Sequence, residues 1–176
     1  LLAAGCASSR PGPVDAPGAI ARQQAQSPAI TAVLARSAIA SLATWSRPPQ
    51  LRETGTDLQC VPYARTRSGL EIFGDANTWW AQARGRYAQS RMPRVGSVIA
   101  MGGTPRGHIG VVARIVSARE ILVDHANWLG EGEIQTGALM IDASADNSWS
   151  HVYVWHAPSA ALGVRAYPVQ GFIGPE

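Results

Sequence analysis

The sequence predicts an α+β fold in which helices come first and a largely antiparallel sheet follows. Residues 28–45 carry apolar side chains at helical spacing, and residues 60–68 form a second helical stretch that Gly69 ends. From residue 97 onward, short runs of alternating apolar residues are separated by turn signals, as expected of strands. Because the turns between these runs are short, consecutive strands are expected to pair in antiparallel fashion.

Local signals define the individual elements. Ser27 is the predicted N-cap of the first helix. Pro62 places the start of the second helix near Leu58 or Gln59, because proline is tolerated only in a first turn. A third helix is predicted over residues 75–88, with Asp75 or Asn77 as its cap. The predicted strands cover residues 97–101, 108–116, 119–127, 133–143 and 151–156.

Composition excludes several classes of function. The chain has 176 residues, of which 46% are hydrophobic, and this suits one globular domain with a tail. The formal net charge is +3, and the 15 basic residues are all arginines without any run or stripe, which disfavours nucleic acid as a partner. Two cysteines do not make a disulfide framework, and no zinc-ligand spacing is present, so neither a metal nor another cofactor is predicted.

Cys60 is the strongest candidate for a reactive side chain. Its predicted position in the first turn of a helix places it beside free backbone N–H groups and the positive end of the helix dipole. Both features favour a thiolate, so the pKa of Cys60 is predicted to be depressed. The alternative is that Cys60 is a small buried apolar residue, which is common for a free cysteine.

Two later segments supply the partners that a nucleophilic thiol needs. Residues 102–112 form a glycine-rich loop that delivers His108 to the start of a strand, and residues 123–128 contain His125 and Asn127. Cysteine, then histidine, then a polar residue is the order expected of a nucleophile, a base and an orienting group.

Three segments, residues 59–64, 107–112 and 125–128, resemble the CHAP family of cysteine- and histidine-dependent amidohydrolases and peptidases. The resemblance extends over roughly residues 51–156. It implies a papain-like core, related to the NlpC-type peptidases, with N-terminal helices packed on the sheet. It also implies cleavage of an amide bond in bacterial peptidoglycan, either the muramoyl–alanine amide or a bond of a peptide cross-bridge.

Hairpin geometry limits the candidates for the orienting group. With a two-residue loop at 117–118, the side chains of His108, His125 and Asn127 share one face of the hairpin. Asn127 is then the direct neighbour of His108, and His125 is its diagonal neighbour within reach across Gly110. Because histidine is the usual third residue in the NlpC-type relatives, the resemblance implies that His125 is the orienting group, with Asn127 in support. Asp124 points to the opposite face and is predicted to be structural; the alternative, Asp124 as the third member, requires the other register.

The remaining site predictions concern the substrate. The Gln59 side chain and the Cys60 N–H are expected to stabilise the oxyanion that forms when the thiolate attacks a carbonyl. Tyr63 and Trp128 are expected to contact the substrate.

Two alternatives remain open. A wall-binding protein would keep the fold without the chemistry and bind glycan through Trp79, Trp80, Trp128 and Trp149; for Trp79 and Trp80 the favoured interpretation is that they are core residues. A metal site of Cys60, His108 and His125 has atypical spacing and ranks last. His151 and His156 have no partner motif and are interpreted as structural.

The N-terminus predicts membrane attachment. Residues 1–6 resemble the end of a bacterial lipoprotein signal peptide with Cys6 as the lipidated residue; the alternative is an Ala-rich segment with an incidental cysteine. This resemblance implies the periplasm, and Ala7 after the cysteine implies the outer membrane. A monomer acting on peptidoglycan is expected.

The sequence is predicted to divide into four parts. These are the signal-peptide end (1–6), a tether and helix (7–50), the CHAP-like catalytic domain (51–157) and a C-terminal tail (158–176).

Overall fold

The computed structural model describes residues 49–175, which form a closed antiparallel sheet with two short helices on its outside. The lipidation site Cys6 and the helix predicted over residues 28–45 lie outside the described residues. In chain order the elements are β1 (Gln50–Arg52), α1 (Cys60–Ser68), a 3-10 turn (Ala76–Thr78), α2 (Trp79–Ala83), β2 (Gln89–Ser90), β3 (Val98–Met101), β4 (His108–Ser117), β5 (Glu120–Ala126), β6 (Ile134–Asp142), β7 (His151–His156), a second 3-10 turn (Ala157–Ser159), β8 (Ala161–Leu162) and β9 (Tyr167–Ile173).

Six of the strands close into a barrel. Their order is β6-β5-β4-β3-β9-β7, and β6 also pairs with β7, so the ring has no free edge. Every pairing between these strands is antiparallel. The three short strands extend this ring, because β1 pairs with β6, β2 with β9 and β8 with β7.

The prediction of an α+β fold with a papain-like core and N-terminal helices is wrong for the described residues. They form mostly sheet, and their two α-helices contain nine and five residues. The helix predicted over residues 75–88 is a 3-10 turn followed by the short α2, because the chain leaves the helix at Arg84 and Gly85 adopts a left-handed φ of 72°. None of the helices in residues 49–175 is long and apolar enough to span a bilayer.

Closure of the sheet depends on a strand that the sequence analysis did not identify. The C-terminal segment 158–176 was given no element, yet it supplies β9, which lies between β3 and β7. Pro168 and Gly171 interrupt the apolar alternation that marks a strand. Gly171 has a φ of 148°, and a Cβ at this position would lie 2.5 Å from the Trp80 ring. The glycine therefore allows Trp80 to pack directly on β9.

Other predicted elements are present. Helix α1 covers the predicted residues 60–68 and ends at Gly69, whose φ is 73°. In the β4–β5 hairpin the turn lies at residues 118–119, one position later than predicted, and two β-bulges follow it. The two bulges together preserve the side-chain parity, so Val112 pairs with Val123 as predicted.

Two apolar clusters lie on opposite sides of the sheet. The barrel interior receives side chains from all six strands: Ile99, Met101, Val112, Ile121, Val123, Met140, Trp149, Val152, Val154, Val169 and Phe172. The second cluster lies between the helices and the outer face of β3 and β4, and its members include Ala64, Ile72, Trp79, Ala83, Val98, Ala100, Ile109 and Val111. Strand β4 contributes to both clusters because alternate side chains point to opposite faces.

The two phenylalanines of the chain provide a matched test of the role of β9. Phe172 is buried in the barrel against Trp149, whereas Phe73 is 58% exposed beside Arg65. Phe172→Ala is expected to lower the free energy of unfolding by about 3–5 kcal/mol. Phe73→Ala should cost less than about 1 kcal/mol. Urea unfolding followed by circular dichroism measures both losses, and equal losses would contradict a packed interior closed by β9.

Candidate active site

Cys60 is the first residue of α1, and its free thiol is half-buried. Helix α1 packs against the outer face of β4 and β5, which brings the Cys60 sulfur to the backbone N–H of Ile109. The N–H groups of Val61 and Cys60 itself also face the sulfur. Because Ile109 follows His108 directly, the thiol lies beside the segment of β4 that carries the predicted base.

The protonation state of the thiol differs from the prediction. Burial raises the pKa of Cys60 above its ordinary value, and the three backbone N–H groups oppose this rise without overcoming it. The predicted depression of the thiol pKa is therefore wrong. Desolvation is stronger than the helix-end effect here because α1 is short and its first turn is packed into the apolar cluster on the outer face.

His108 and His125 form a buried pair at one end of the barrel interior. His108 Nε2 and His125 Nδ1 are 2.9 Å apart and share a hydrogen bond, and the rings meet edge to face with their centroids 5.1 Å apart. His108 is 6% exposed and His125 is fully buried. Gly110 lies between them, and a Cβ at this position would come within 3.0 Å of the His125 Cβ. The bare glycine therefore makes room for the His125 side chain.

Two aromatic residues cover the histidine pair. The Trp128 ring lies edge-on to His108 at 4.8 Å and is tilted over His125 at 5.9 Å, measured between centroids. Tyr167, at the start of β9, packs against the other side of Trp128 at 4.9 Å. Both rings are only partly buried and adjoin the barrel core. Trp128 thus separates the imidazoles from solvent while keeping part of its own surface accessible.

Both imidazoles are uncharged at neutral pH. Burial lowers the pKa of His108 well below its usual range, and the neighbouring His125 lowers it further. Burial lowers the pKa of His125 to about 4, although the Gln135 side chain acts in the opposite direction. Since His108 Nε2 is occupied by His125, Nδ1 is the ring nitrogen of His108 that lies outside this shared hydrogen bond.

Asn127 contacts Gln59 and the following loop. Its Nδ2 donates a 2.8 Å hydrogen bond to Gln59 Oε1, and its Oδ1 accepts one of 2.9 Å from the Gly132 N–H. Strand β5 ends at Ala126, and Asn127 turns into a left-handed conformation with a φ of 57°. Asn127 therefore fixes the residue that precedes Cys60, and its amide is engaged away from His108.

Gln59 is oriented from both ends of its amide. Besides accepting from Asn127, it donates from Nε2 to Asp57 Oδ1 at 2.9 Å. One N–H of this amide is left over for a further acceptor, because an amide nitrogen carries two donors. The Cys60 N–H lies beside the sulfur at the same point of the chain. Of the two groups predicted to stabilise an oxyanion, the Cys60 N–H thus faces the sulfur, and the Gln59 amide is held by Asp57 and Asn127.

Asp124 and Tyr63 belong to a network on the outer face of the sheet. Asp124 accepts a 2.7 Å ion-pair hydrogen bond from Arg67 and a 2.9 Å hydrogen bond from the Gly137 N–H. Tyr63 interacts with the same arginine, and its pKa is raised by burial and by the negative charge of Asp124. Asp124 thus ties α1 to the β5–β6 pair, and Tyr63 lies one helical turn from Cys60.

The other candidate residues are distributed over the fold. Trp79 and Trp149 are fully buried, whereas His151 is exposed. No group of three histidine, cysteine or carboxylate residues within residues 49–175 has the arrangement to hold a metal ion. A pocket of about 220 Å³ near Met92 and Phe172 contains none of the predicted site residues.

Sequence reasoning missed one polar residue of the site, Gln135. It lies directly opposite His125 on β6 and is 1% exposed. A polar residue at an inward position of an apolar strand is a recognisable signal, but only the strand register shows which positions face inward.

The CHAP domain family matches residues 52–127, a segment that contains Cys60, His108, His125 and Asn127. This match supports the CHAP domain family for that part of the chain. It also supports a function of the peptidoglycan-hydrolase type in general, since CHAP domains are typically cysteine- and histidine-dependent amidohydrolases. No curated protein matches the chain.

The buried histidines predict acid sensitivity. The pKa of His125 is 6.5 when it is unperturbed and about 4 in the fold, so the unfolded chain binds its proton first as the pH falls. Stability is therefore fully present above pH 6.5 and is lost as the pH falls through about 4. His125 alone accounts for about 3 kcal/mol of this loss, and His108 adds to it.

Urea unfolding at several pH values between 7.5 and 4 measures this loss. The His151→Gln variant is the control, because that histidine is exposed and its removal should leave the acid sensitivity unchanged. A free energy of unfolding that stays constant from pH 7 to pH 4.5 would contradict a buried, neutral pair.

Proposed function

We propose that this protein is a cysteine hydrolase that cuts an amide bond of cell-wall peptidoglycan. The observation that carries the proposal is the buried, uncharged His108–His125 pair, whose free Nδ1 lies on the residue that adjoins the Ile109 contact of Cys60. The family match supports the general class of function. Whether the enzyme is a muramoyl–alanine amidase or a peptide endopeptidase is decided by the digestion experiment described below.

Acylation begins from a neutral thiol and a neutral imidazole. As the Cys60 sulfur attacks the carbonyl carbon of the substrate, the thiol proton passes to His108 Nδ1. The Cys60 N–H and the remaining Gln59 N–H are the donors for the oxyanion. His108 then delivers the proton to the leaving nitrogen, the C–N bond breaks, and a thioester remains on Cys60.

Deacylation uses the same groups in reverse. A water molecule gives a proton to His108 Nδ1 while its oxygen attacks the thioester carbonyl. The C–S bond breaks, the carboxylic acid product leaves, and the proton returns to the sulfur. In both half-reactions His125 accepts the Nε2–H hydrogen bond of His108 and so stabilises the transient imidazolium.

A second candidate function is wall binding without catalysis. The raised pKa of Cys60 favours it, because a protonated thiol is a weak nucleophile. The burial of Trp79 and Trp149 counts against it, since neither ring is accessible to glycan. Of the aromatic residues predicted to grip the wall, Trp128 is the one that covers the histidine pair. We therefore assign Trp128, together with Tyr63, to substrate contact in the hydrolase.

Digestion of purified peptidoglycan followed by mass spectrometry tests the hydrolase. The native chain should release either new muramoyl ends or new peptide termini, which separates amidase from endopeptidase. Cys60→Ser retains the shape of the side chain but removes a good nucleophile, so turnover should fall below detection while the fold is kept. Near-native hydrolysis by this variant, or no hydrolysis by the native chain, would contradict the proposal.

Three alanine variants extend the same assay to the supporting groups. His125→Ala removes the partner of His108 Nε2 and should slow turnover by about 100-fold or more. Asn127→Ala loosens Gln59 and should have a smaller effect. Asp124→Ala is the control for the outer face, since it breaks the ion pair with Arg67 and should act through stability. A folded Asp124→Ala protein as inactive as the Cys60 variant would overturn these assignments.

We further propose that the chain is a lipoprotein of the periplasm, anchored in the outer membrane through Cys6, with the segment that follows Cys6 linking the anchor to the domain. Expression of the precursor with its complete signal peptide tests the anchor. Cys6→Ser should move the protein from the membrane fraction to the soluble fraction without changing hydrolysis by the domain. A Cys6→Ser protein that stays with membranes in high salt would contradict the anchor.

A further inference from the structure

Three buried polar atoms next to the histidine pair have no hydrogen-bond partner of ordinary geometry: His125 Nε2, Gln135 Nε2 and Gln135 Oε1. Gln135 is 1% exposed and His125 is fully buried. Leaving such groups unpaired costs roughly 1–3 kcal/mol each, so folded proteins contain few of them. Their occurrence in two facing residues of the candidate site calls for a functional explanation.

The strand register places the two side chains against each other. His125 and Gln135 are direct partners in the antiparallel β5–β6 ladder, so both point into the barrel. The Gln135 side chain also raises the pKa of His125, which is consistent with the two side chains facing each other.

We propose that Gln135 is a positioning residue that fixes the tautomer of the histidine pair by accepting the Nε2–H of His125 on its Oε1. Its catalytic consequence rests on the proposed function, because it concerns which nitrogen of His108 is free to act as the base. The tautomer itself is a property of the resting protein and is independent of any substrate.

Only one of the two possible proton arrangements gives a working base. With a proton on His125 Nε2, His125 Nδ1 accepts from His108 Nε2–H, and His108 Nδ1 carries a free lone pair. With a proton on His125 Nδ1, the direction of the shared hydrogen bond reverses, and His108 carries its proton on Nδ1. The second arrangement blocks transfer from the Cys60 thiol. An acceptor at Gln135 selects the first.

Long-range ¹⁵N–¹H spectra of the full chain, labelled with ¹⁵N-histidine, report the tautomers directly. The chain has four histidines, so the His108 and His125 signals can be assigned by single substitution. At pH 7 the native protein should show a protonated Nε2 and a bare Nδ1 on both residues. A native His125 protonated on Nδ1 would overturn the inference outright, whether or not the chain hydrolyses peptidoglycan.

Gln135→Leu removes the acceptor while keeping a similar side-chain volume. We expect the His125 signals to shift toward a mixture of tautomers, and kcat to fall by about 10- to 100-fold with little change in KM. Gln89→Leu is the matched control. That glutamine donates to the Trp80 carbonyl from β2, which pairs with β9 and with none of β4, β5 and β6. Its variant should leave the tautomers and kcat unchanged.

Gln135→Glu separates positioning from packing. A carboxylate also accepts the His125 Nε2–H, so the native tautomer should return and kcat should exceed that of the leucine variant. Unchanged tautomers in Gln135→Leu would contradict the positioning role. So would a kcat of Gln135→Glu that is as low as the kcat of Gln135→Leu. If Gln135→Leu shifts the tautomers while the native chain shows no hydrolysis, the proposed function fails and the assignment of Gln135 stands.

Discussion

Closure of the sheet is the constraint on which the rest of the structure depends. Because β6 pairs with both β5 and β7, and β9 fills the position between β3 and β7, six strands enclose a single interior. A barrel of this size is filled by side chains rather than by solvent. The imidazoles at its end are therefore desolvated, and desolvation keeps them neutral.

Strand β4 carries residues of the candidate site on both faces of the sheet. His108 faces the barrel interior, while the next residue, Ile109, faces the helices and directs its N–H to the Cys60 sulfur. Alternation along a strand makes this possible with two consecutive residues. Burial on both sides raises the pKa of the thiol and lowers that of the imidazole, so both groups are uncharged at neutral pH.

The sequence predicted elements more reliably than their assembly. The bounds of α1 followed from Pro62 and Gly69, because both act within one turn of the backbone. The pairing of Val112 with Val123 was predicted from a turn placed one residue too early, and two bulges preserved the parity. The helix predicted over residues 75–88 is shorter in the structure, because Gly85 adopts a left-handed conformation that ends it.

By itself, the sequence determined the order of Cys60, His108 and His125, the helix that begins at the cysteine, and the hairpin that carries both histidines. These features depend on caps, turns and alternation, which act between near neighbours in the chain. Only the tertiary structure decided that the sheet closes through β9, that Gln135 faces His125, and that the thiol and imidazoles are uncharged. Those properties depend on the pairing of strands that are far apart in the sequence and on the surrounding residues that exclude water. Local sequence patterns predict neither.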